Sequence, residues 1–482
     1  MSISKKYIII QKIVSLLLLG IIFACDLSDA TDPNDSQFDY IDKKPTIGGG
    51  AISADINLYV DAADAIDIYP DIFGVNNDWR QIPDNTFSNF ANTLIKIGST
   101  IVRYPGGWES EFYSWTTNAT PGWVNTPSQP GASVSTLQSH ISNYSVVLPT
   151  TEAINTTVGS SQYNIAISNL KAIAKQAIDL SNINSGNDGL VEIGNEWWLQ
   201  WAGGVSRAQK LDKYVNIAMD LTEYLVSEYP NRRFKLLING DYTQPQEFTT
   251  MKNKFIKAYA DIDGVALHTY TGYNTATHNI SDLEERIKNC ANNFNPNKNF
   301  KYLSEWMPSR DYNNRALYME AANILPDIIH IYARAGSQAA AFWPPINKSI
   351  PGLGLTNWNY SKVFPTGQIL RELADSYRGK SLKTTSNKFH LAAALQDDNT
   401  MVLFITGGNV SGKKVAVKVN GFAINSIQTV ERYVPFDYEN TAAAEPYLTQ
   451  NATAEISSDN EVILDVNKQG LYQIYKIVVK GN

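Results

Sequence analysis

Over residues 70–380, short apolar runs alternate with longer stretches of helical periodicity. No other feature of the chain restricts its fold as much. The runs expected to be strands are 71–76, 100–104, 145–149, 190–194, 234–239, 264–268, 301–304 and 338–342. Between them, 163–181 spaces Ile165, Ile167, Leu170, Ile173, Ala174, Ala177 and Ile178 close to a 3.6-residue period, and 208–229 and 314–336 read the same way. Strands that alternate with helices make a parallel sheet. Eight such units in about 310 residues predict a (β/α)8 TIM barrel over 70–380, an α/β fold.

After residue 380 the texture changes. "FHLAAALQDDNTMVLFITGGN", "KKVAVKVNGF" and "EVILDVNKQGLYQIYKIVV" alternate over short stretches, with turn signals at Asp398-Asn399, Gly407-Gly408 and Asn420-Gly421. The expectation for 381–482 is an antiparallel β-sandwich. The stretch "ADINLYVDA" at 54–62 alternates too, so 51–69 is expected to lend an N-terminal strand to the same sandwich.

The N-terminus reads as a targeting segment. Lys5 and Lys6 precede a mostly apolar stretch, 13–24, that stops at Cys25. It is too short for a comfortable span of about 20 residues and has a signal-peptide layout. Ile22-Phe23-Ala24-Cys25 resembles a bacterial lipoprotein signal, in which the Cys becomes the lipidated first residue. That resemblance implies a signal over 1–25, a lipid on Cys25 and attachment to the bacterial outer membrane, at the cell surface or the periplasmic face. An ordinary secretory peptide with a chance Cys is the other reading. Only Cys290 remains, so the body carries no disulfide framework. Residues 26–50 are acidic and polar and read as a disordered tether. The Gly-Gly-Gly at 48–50 lacks the Lys-Ser/Thr of a phosphate loop.

A net charge of −7 with no basic block argues against nucleic acid as a partner. The 10 Trp and 26 Tyr favour a carbohydrate partner, because aromatic rings serve as platforms for the apolar faces of sugars. No Gly-x-Ser-x-Gly is present, since "GNVSG" at 408–412 has the wrong spacing. His268 and His278 do not make a helical metal pair and no carboxylate spacing completes a zinc site, so neither metal nor cofactor is expected.

In a barrel of this kind the working residues lie at the C-terminal ends of the strands. Arg103 ends the second run in "IVRYPGGW", Asn195 and Glu196 follow the fourth in "GLVEIGNEWWLQW", and His268 and Tyr270 end the sixth in "VALHTY". Glu305 ends the seventh in "YLSEW", and Trp343 the eighth in "AAAFW". Two glutamates on strands three apart would face each other across the barrel mouth. Glycosidic-bond hydrolysis needs such a pair, one carboxyl to protonate the departing oxygen and one to attack the anomeric carbon or activate water. An Arg beside one carboxylate would keep it ionised, and apolar surroundings would keep the other protonated. Each residue also has a plainer reading. Glu196 can be a helix N-terminal acid, Arg103 a structural ion-pair partner and His268 a buried hydrogen-bonded histidine.

These segments together resemble the retaining glycoside hydrolases of clan A, nearest to the α-L-arabinofuranosidase, β-xylosidase and heparanase-like families. "VRYPGGW" is similar to their strand-two Arg-x-Pro-Gly-Gly segment. "EIGNE" matches the Gly-Asn-Glu that carries the acid/base, which implies that role for Glu196 and a sugar 2-hydroxyl contact for Asn195. "LSEW" matches the strand-seven nucleophile, which implies Glu305. The likeness further implies substrate contacts from Arg103, His268, Tyr270 and Trp343. The aromatic cluster Trp197, Trp198 and Trp201 behind Glu196 is expected to split between packing on the barrel and facing substrate, with Trp197 taken as a substrate contact. One departure is Trp197, where the families usually have Pro after Asn-Glu. The implied activity is retaining hydrolysis of a plant or algal polysaccharide or its oligosaccharides; the alternative is a non-catalytic glycan-binding lipoprotein on the same scaffold.

Overall fold

The computed structural model describes residues 54–481 apart from 122–128, 186–188, 201–202, 256–258, 272–279, 310–315, 386–389, 398, 407–411, 437–444 and 467–471. The signal segment, Cys25, the tether, Trp201 and His278 lie outside the described residues. Among those described, eight parallel strands close a barrel: β2 (Gly74–Asn76), β3 (Val102–Tyr104), β4 (Tyr144–Leu148), β5 (Leu190–Ile193), β6 (Lys235–Asp241), β7 (Gly264–Thr271), β8 (Phe300–Pro308) and β9 (Ala339–Phe342). The first differs from the sequence expectation, because Pro70–Phe73 is a 3-10 turn and only Gly74–Asn76 pairs. A proline with φ fixed near the helical value suits the first position of such a turn.

The crossover helices start where side chains satisfy their open N–H groups. Ser160 accepts from Tyr163 N ahead of the helix Ser161–Ser181. Ser206 and Gln209 form a reciprocal capping box ahead of Arg207–Glu228.

Inside the barrel, strand periodicity builds two layers. Ile101, Leu190, Leu237, Ala266, Tyr302, Ala339 and Ala341 form an apolar cluster in the lumen. Side chains two residues apart on a strand share a face. Two residues beyond five of these positions come Arg103, Glu192, Asn239, His268 and Ser304, all buried. The lumen therefore turns from apolar to polar in a single step toward the C-terminal ends of the strands. Asn76 of β2 joins the polar layer, with its Nδ2 donating to Ser304 O at 3.0 Å. Gly74, two residues before it, leaves room for the neighbouring strands: a Cβ there would sit 2.3 Å from Ala340 O.

The second domain is a ten-stranded sheet among the described residues, in the order β15-β14-β18-β12-β11-β10-β1-β13-β17-β16. Its strands are β1 (Ile56–Asp67), β10 (Lys380–Thr385), β11 (His390–Asp397), β12 (Thr400–Thr406), β13 (Lys414–Asn420), β14 (Ile424–Val434), β15 (Leu448–Asn451), β16 (Ala454–Ile456), β17 (Glu461–Asp465) and β18 (Ile474–Gly481). The sheet curls around one core that joins Leu58, Leu382, Leu403, Val417, Leu464 and Ile477, which gives the sandwich architecture. The N-terminal strand β1 does enter it, antiparallel to β10 and parallel to β13. The sheet is tied to the barrel helix Tyr318–Arg334, whose Arg334 donates to Asp64 O and Ser381 O and pairs with the Asp64 carboxylate at 2.7 Å.

Candidate active site

Glu305 faces the lumen because β8 breaks its alternation. Tyr302 and Ser304 point inward, so a regular strand would turn Glu305 outward against the helices. The register jumps instead. Ala266 pairs with Tyr302 but His268 pairs with Glu305, two residues on β7 against three on β8. The same slip separates β8 from β9, between Leu303 and Trp306. An extra residue on one strand is a β-bulge, and bulges re-aim side chains. Glu305 thereby rises above the polar layer and remains buried.

Glu196 arrives by a different irregularity. The chain leaves β5 at Gly194 (φ 84) and runs through Glu196 at φ 47. A left-handed backbone costs an L-residue roughly 1–2 kcal/mol, so this turn must be held from outside. Glu196 N donates to Asn239 Oδ1 at 2.8 Å. Trp197 lies fully buried beneath it, stacked on Tyr214 at 5.3 Å and 16°, with Nε1 donating to Asn239 O.

Arg103 is the hub. Its Nε donates to Glu192 at 2.7 Å, Nη1 to Asn76 Oδ1 at 3.0 Å and to Glu305 Oε2 at 3.2 Å, and Nη2 to Asn195 Oδ1 at 2.8 Å. His268 Nδ1 lies 3.1 Å from Glu196 Oε1 and 3.8 Å from Glu305 Oε2, and its Nε2 lies 3.5 Å from Glu192. The Tyr270 hydroxyl donates to Glu305 Oε1. Glu192 also accepts from Asn239 Nδ2 at 2.6 Å and Ser304 Oγ at 2.9 Å.

These contacts set the protonation states. Burial acts to raise the Glu192 pKa, but the Arg103 charge and His268 reverse it, down to about 2. Burial acts to lower that of Arg103, and Glu192 and Glu305 raise it instead. Burial also acts to lower that of His268, yet Glu305, Glu192 and Glu196 lift it to about 9, so the imidazole is a cation at neutral pH. Glu305 is raised, by burial first, with the Glu196 charge adding while His268, Arg103 and Tyr270 oppose. Nearby, Glu109 is pushed up to about 7 by burial and by Asp78, against its Arg80 partner at 3.2 Å.

The structure thus gathers Arg103, Asn195, Glu196, His268, Tyr270 and Glu305 at one end of the barrel. Trp343 reaches the same end and lies over the Gly107 backbone; a Cβ on Gly107 would approach its ring to 2.5 Å. Trp197 is a correction: its indole packs under the turn and offers no face to a sugar. The neighbouring Trp198 is half-buried, lies edge-on to His268 at 5.8 Å and has the Arg207 guanidinium over its ring at 5.7 Å. The sequence reading did not single out Glu192, Asn76, Asn239, Ser304 or Glu111. For Glu192, Asn239 and Ser304 the signal was the period of two, since a polar residue two positions beyond a lumen-facing apolar one must also face the lumen.

Glu196, His268 and Glu305 can each turn one donor atom toward a shared centre, all within 4.8 Å of one another. Among the described residues they form the group able to offer a metal three ligands, a cluster that the sequence spacing did not suggest. The permanent Arg103 charge, 3.2 Å from Glu305, opposes a divalent cation there.

No protein-family model matches the chain, and no curated protein matches it. Solved structures do. A family 51 α-L-arabinofuranosidase from Bifidobacterium longum aligns at 12% identity with a TM-score of 0.64, covering 90% of this chain and 100% of its own. A bifunctional glucanase-xylanase from a metagenome library aligns at 13% identity and TM-score 0.60, covering 89% of this chain and 99% of its own. A family 44 xyloglucanase from Paenibacillus polymyxa aligns at 12% identity and TM-score 0.56, covering 89% and 100%. At these identities the likeness establishes a shared fold, a barrel with an attached β-sandwich spanning nearly the whole chain.

Proposed function

We propose that the protein is a retaining glycoside hydrolase in which Glu305 is the nucleophile and Glu196 the acid/base. The observation that carries this reading is the approach of the two carboxylates, with one oxygen of each within 4.8 Å. Retaining enzymes hold their pair at about 5–5.5 Å, and inverting enzymes keep them farther apart to admit a water. Arg103, His268 and Tyr270 favour the charged form of Glu305, against the burial and the Glu196 charge that raise its pKa. In the first step a Glu305 oxygen attacks the anomeric carbon. Glu196 gives its proton to the glycosidic oxygen as that bond breaks. In the second step Glu196, now a carboxylate, takes a proton from water, and the water oxygen displaces Glu305 with overall retention. Asn195 spends its Oδ1 on Arg103 and keeps a buried Nδ2 without a partner, a donor suited to a sugar 2-hydroxyl.

The substrate we propose is a plant or algal polysaccharide or its oligosaccharides. Support comes from the glucanase, xylanase, arabinofuranosidase and xyloglucanase activities named for structures of the same fold. Export and a lipid on Cys25 would hold the enzyme at the outer membrane near such a polymer; a Cys25→Ser chain that still fractionates with membranes would refute the anchor. The functional test is a panel of aryl glycosides and polysaccharides with product sizing and NMR of the first-formed anomer. Retention is expected, with Glu305→Ala slower by a factor on the order of 10⁴. Equal turnover by wild type and Glu305→Ala overturns the assignment. Binding of a glycan without cleavage would favour the alternative, a non-catalytic glycan-binding lipoprotein.

A further inference from the structure

Beyond β5 the backbone has left the sheet ladder, and its polar groups need other partners. Asn195 N donates to Glu111 Oε1 at 2.6 Å. Asn195 O accepts from Gln200 Nε2 at 2.7 Å. Side chains therefore hold both polar backbone groups of the residue immediately before Glu196. Glu111 comes from the turn Trp108–Glu111 that follows β3, and it is buried. Its Oε2 accepts from Thr150 N at 2.6 Å, Thr151 N at 2.8 Å and Thr151 Oγ1 at 2.9 Å, just beyond β4. Thr151 Oγ1 also contacts Gln200 Oε1, which closes the network. One carboxylate thus joins the segments that follow three successive barrel strands, and the third of these carries Glu196 in its left-handed turn.

We infer that Glu111, assisted by Gln200, is the positioning residue that aims the Glu196 carboxyl at the glycosidic oxygen. The inference rests on the reading of Glu196 as acid/base. Glu111 takes no part in proton transfer itself, because N–H and O–H donors from the two segments after β4 and β5 already engage both of its oxygens. In Glu111→Gln an amide N–H2 must face at least one of these donors, so the turn shifts and Glu196 moves with it.

The test exploits leaving-group chemistry. Phenyl glycosides need protonation to depart, whereas dinitrophenyl glycosides do not. With glycosides of the sugar identified by the substrate panel, Glu111→Gln should lower kcat/KM for the phenyl compound on the order of 10²-fold, the cost of misplacing a reacting group by about 1 Å. The dinitrophenyl kcat/KM should stay near wild type. Added azide, which needs no general base, should restore its kcat. Equal losses on both substrates would mean a merely structural role and would overturn the inference. Glu196→Ala is the control. If it shows no leaving-group dependence, the acid/base assignment fails; if it does and Glu111→Gln does not, only the positioning role fails. Should Glu111→Gln not fold, Gln200→Met, which frees Asn195 O and keeps the side-chain volume, is read against the same criteria.

Discussion

Glu192→Gln would remove one negative charge from the barrel interior and leave the side chain's shape almost intact. Glu192 and its partner Arg103 both have side chains with 0% exposure, so solvent cannot replace the lost charge. The cost follows from the proton equilibrium. Glu192 sits at about 2 in the folded protein against an ordinary value of 4.5. At about 1.4 kcal/mol per pH unit, that gap is worth roughly 3 kcal/mol at pH 7. Because the folded value is the depressed one, this stability is present above 4.5 and is lost as pH falls through about 2. Breaking a buried pair by deleting one partner typically costs about 3–5 kcal/mol, which agrees. The amide also cannot serve every neighbour, since Arg103 Nε, Asn239 Nδ2 and Ser304 Oγ all donate to the present carboxylate. Urea denaturation at pH 7, followed by tryptophan fluorescence, should therefore show a loss of about 3–5 kcal/mol. The double variant Arg103→Met/Glu192→Leu removes both charges and should recover more than half of that loss while remaining inactive, because Arg103 also reaches Glu305. A Glu192→Gln protein within about 1 kcal/mol of wild type would refute the pairing argument, as would a double variant less stable than the single one.

His268 sets a second pH dependence of opposite sign. Its pKa is raised from 6.5 to about 9, so the stability it contributes is complete below 6.5 and is lost as pH rises through about 9. Denaturation at pH 6 and pH 10 should show a decline in wild type that His268→Gln lacks; parallel declines would contradict the assignment. Dialysis against a chelator should leave hydrolysis unchanged, and activity that returns only with added zinc would instead make Glu196, His268 and Glu305 metal ligands. Trp198→Ala should raise KM with little effect on thermal unfolding, while Trp197→Ala, at a fully buried and stacked position, should cost about 3–5 kcal/mol of stability; the reverse pattern would return Trp197 to the sugar site.

The barrel was legible in the sequence because its strands are short apolar runs, and the ends of those runs mark the mouth without any knowledge of packing. Arg103, Glu196, His268 and Glu305 were found this way. Glu192 was hidden inside such a run, "LVEI", where it reads as an interruption. Only the alternation from Leu190 reveals that it must share the lumen with Arg103. Glu111 was hidden for another reason. Its partners are backbone N–H groups at Thr150, Thr151 and Asn195, and a backbone donor leaves no trace in residue identity.

The two carboxylates proposed for chemistry share a property that no periodic pattern can express. Regular strands point every second side chain inward, and on β5 and β8 those inward places are already taken by Glu192 and Ser304. A further acid above that layer must come from a residue that regular geometry would place elsewhere. Glu305 gets there through the bulge on β8 and Glu196 through a left-handed turn beyond β5. Each irregularity weakens the local ladder and needs outside support: Arg103 and Tyr270 at Glu305, and Glu111, Gln200 and Asn239 around Glu196. The polar layer under the site therefore serves two purposes at once. It sets the positive charges of Arg103 and His268 beside the two carboxylates, and through Arg103 and Asn239 it contributes hydrogen bonds at the places where both strands depart from regularity.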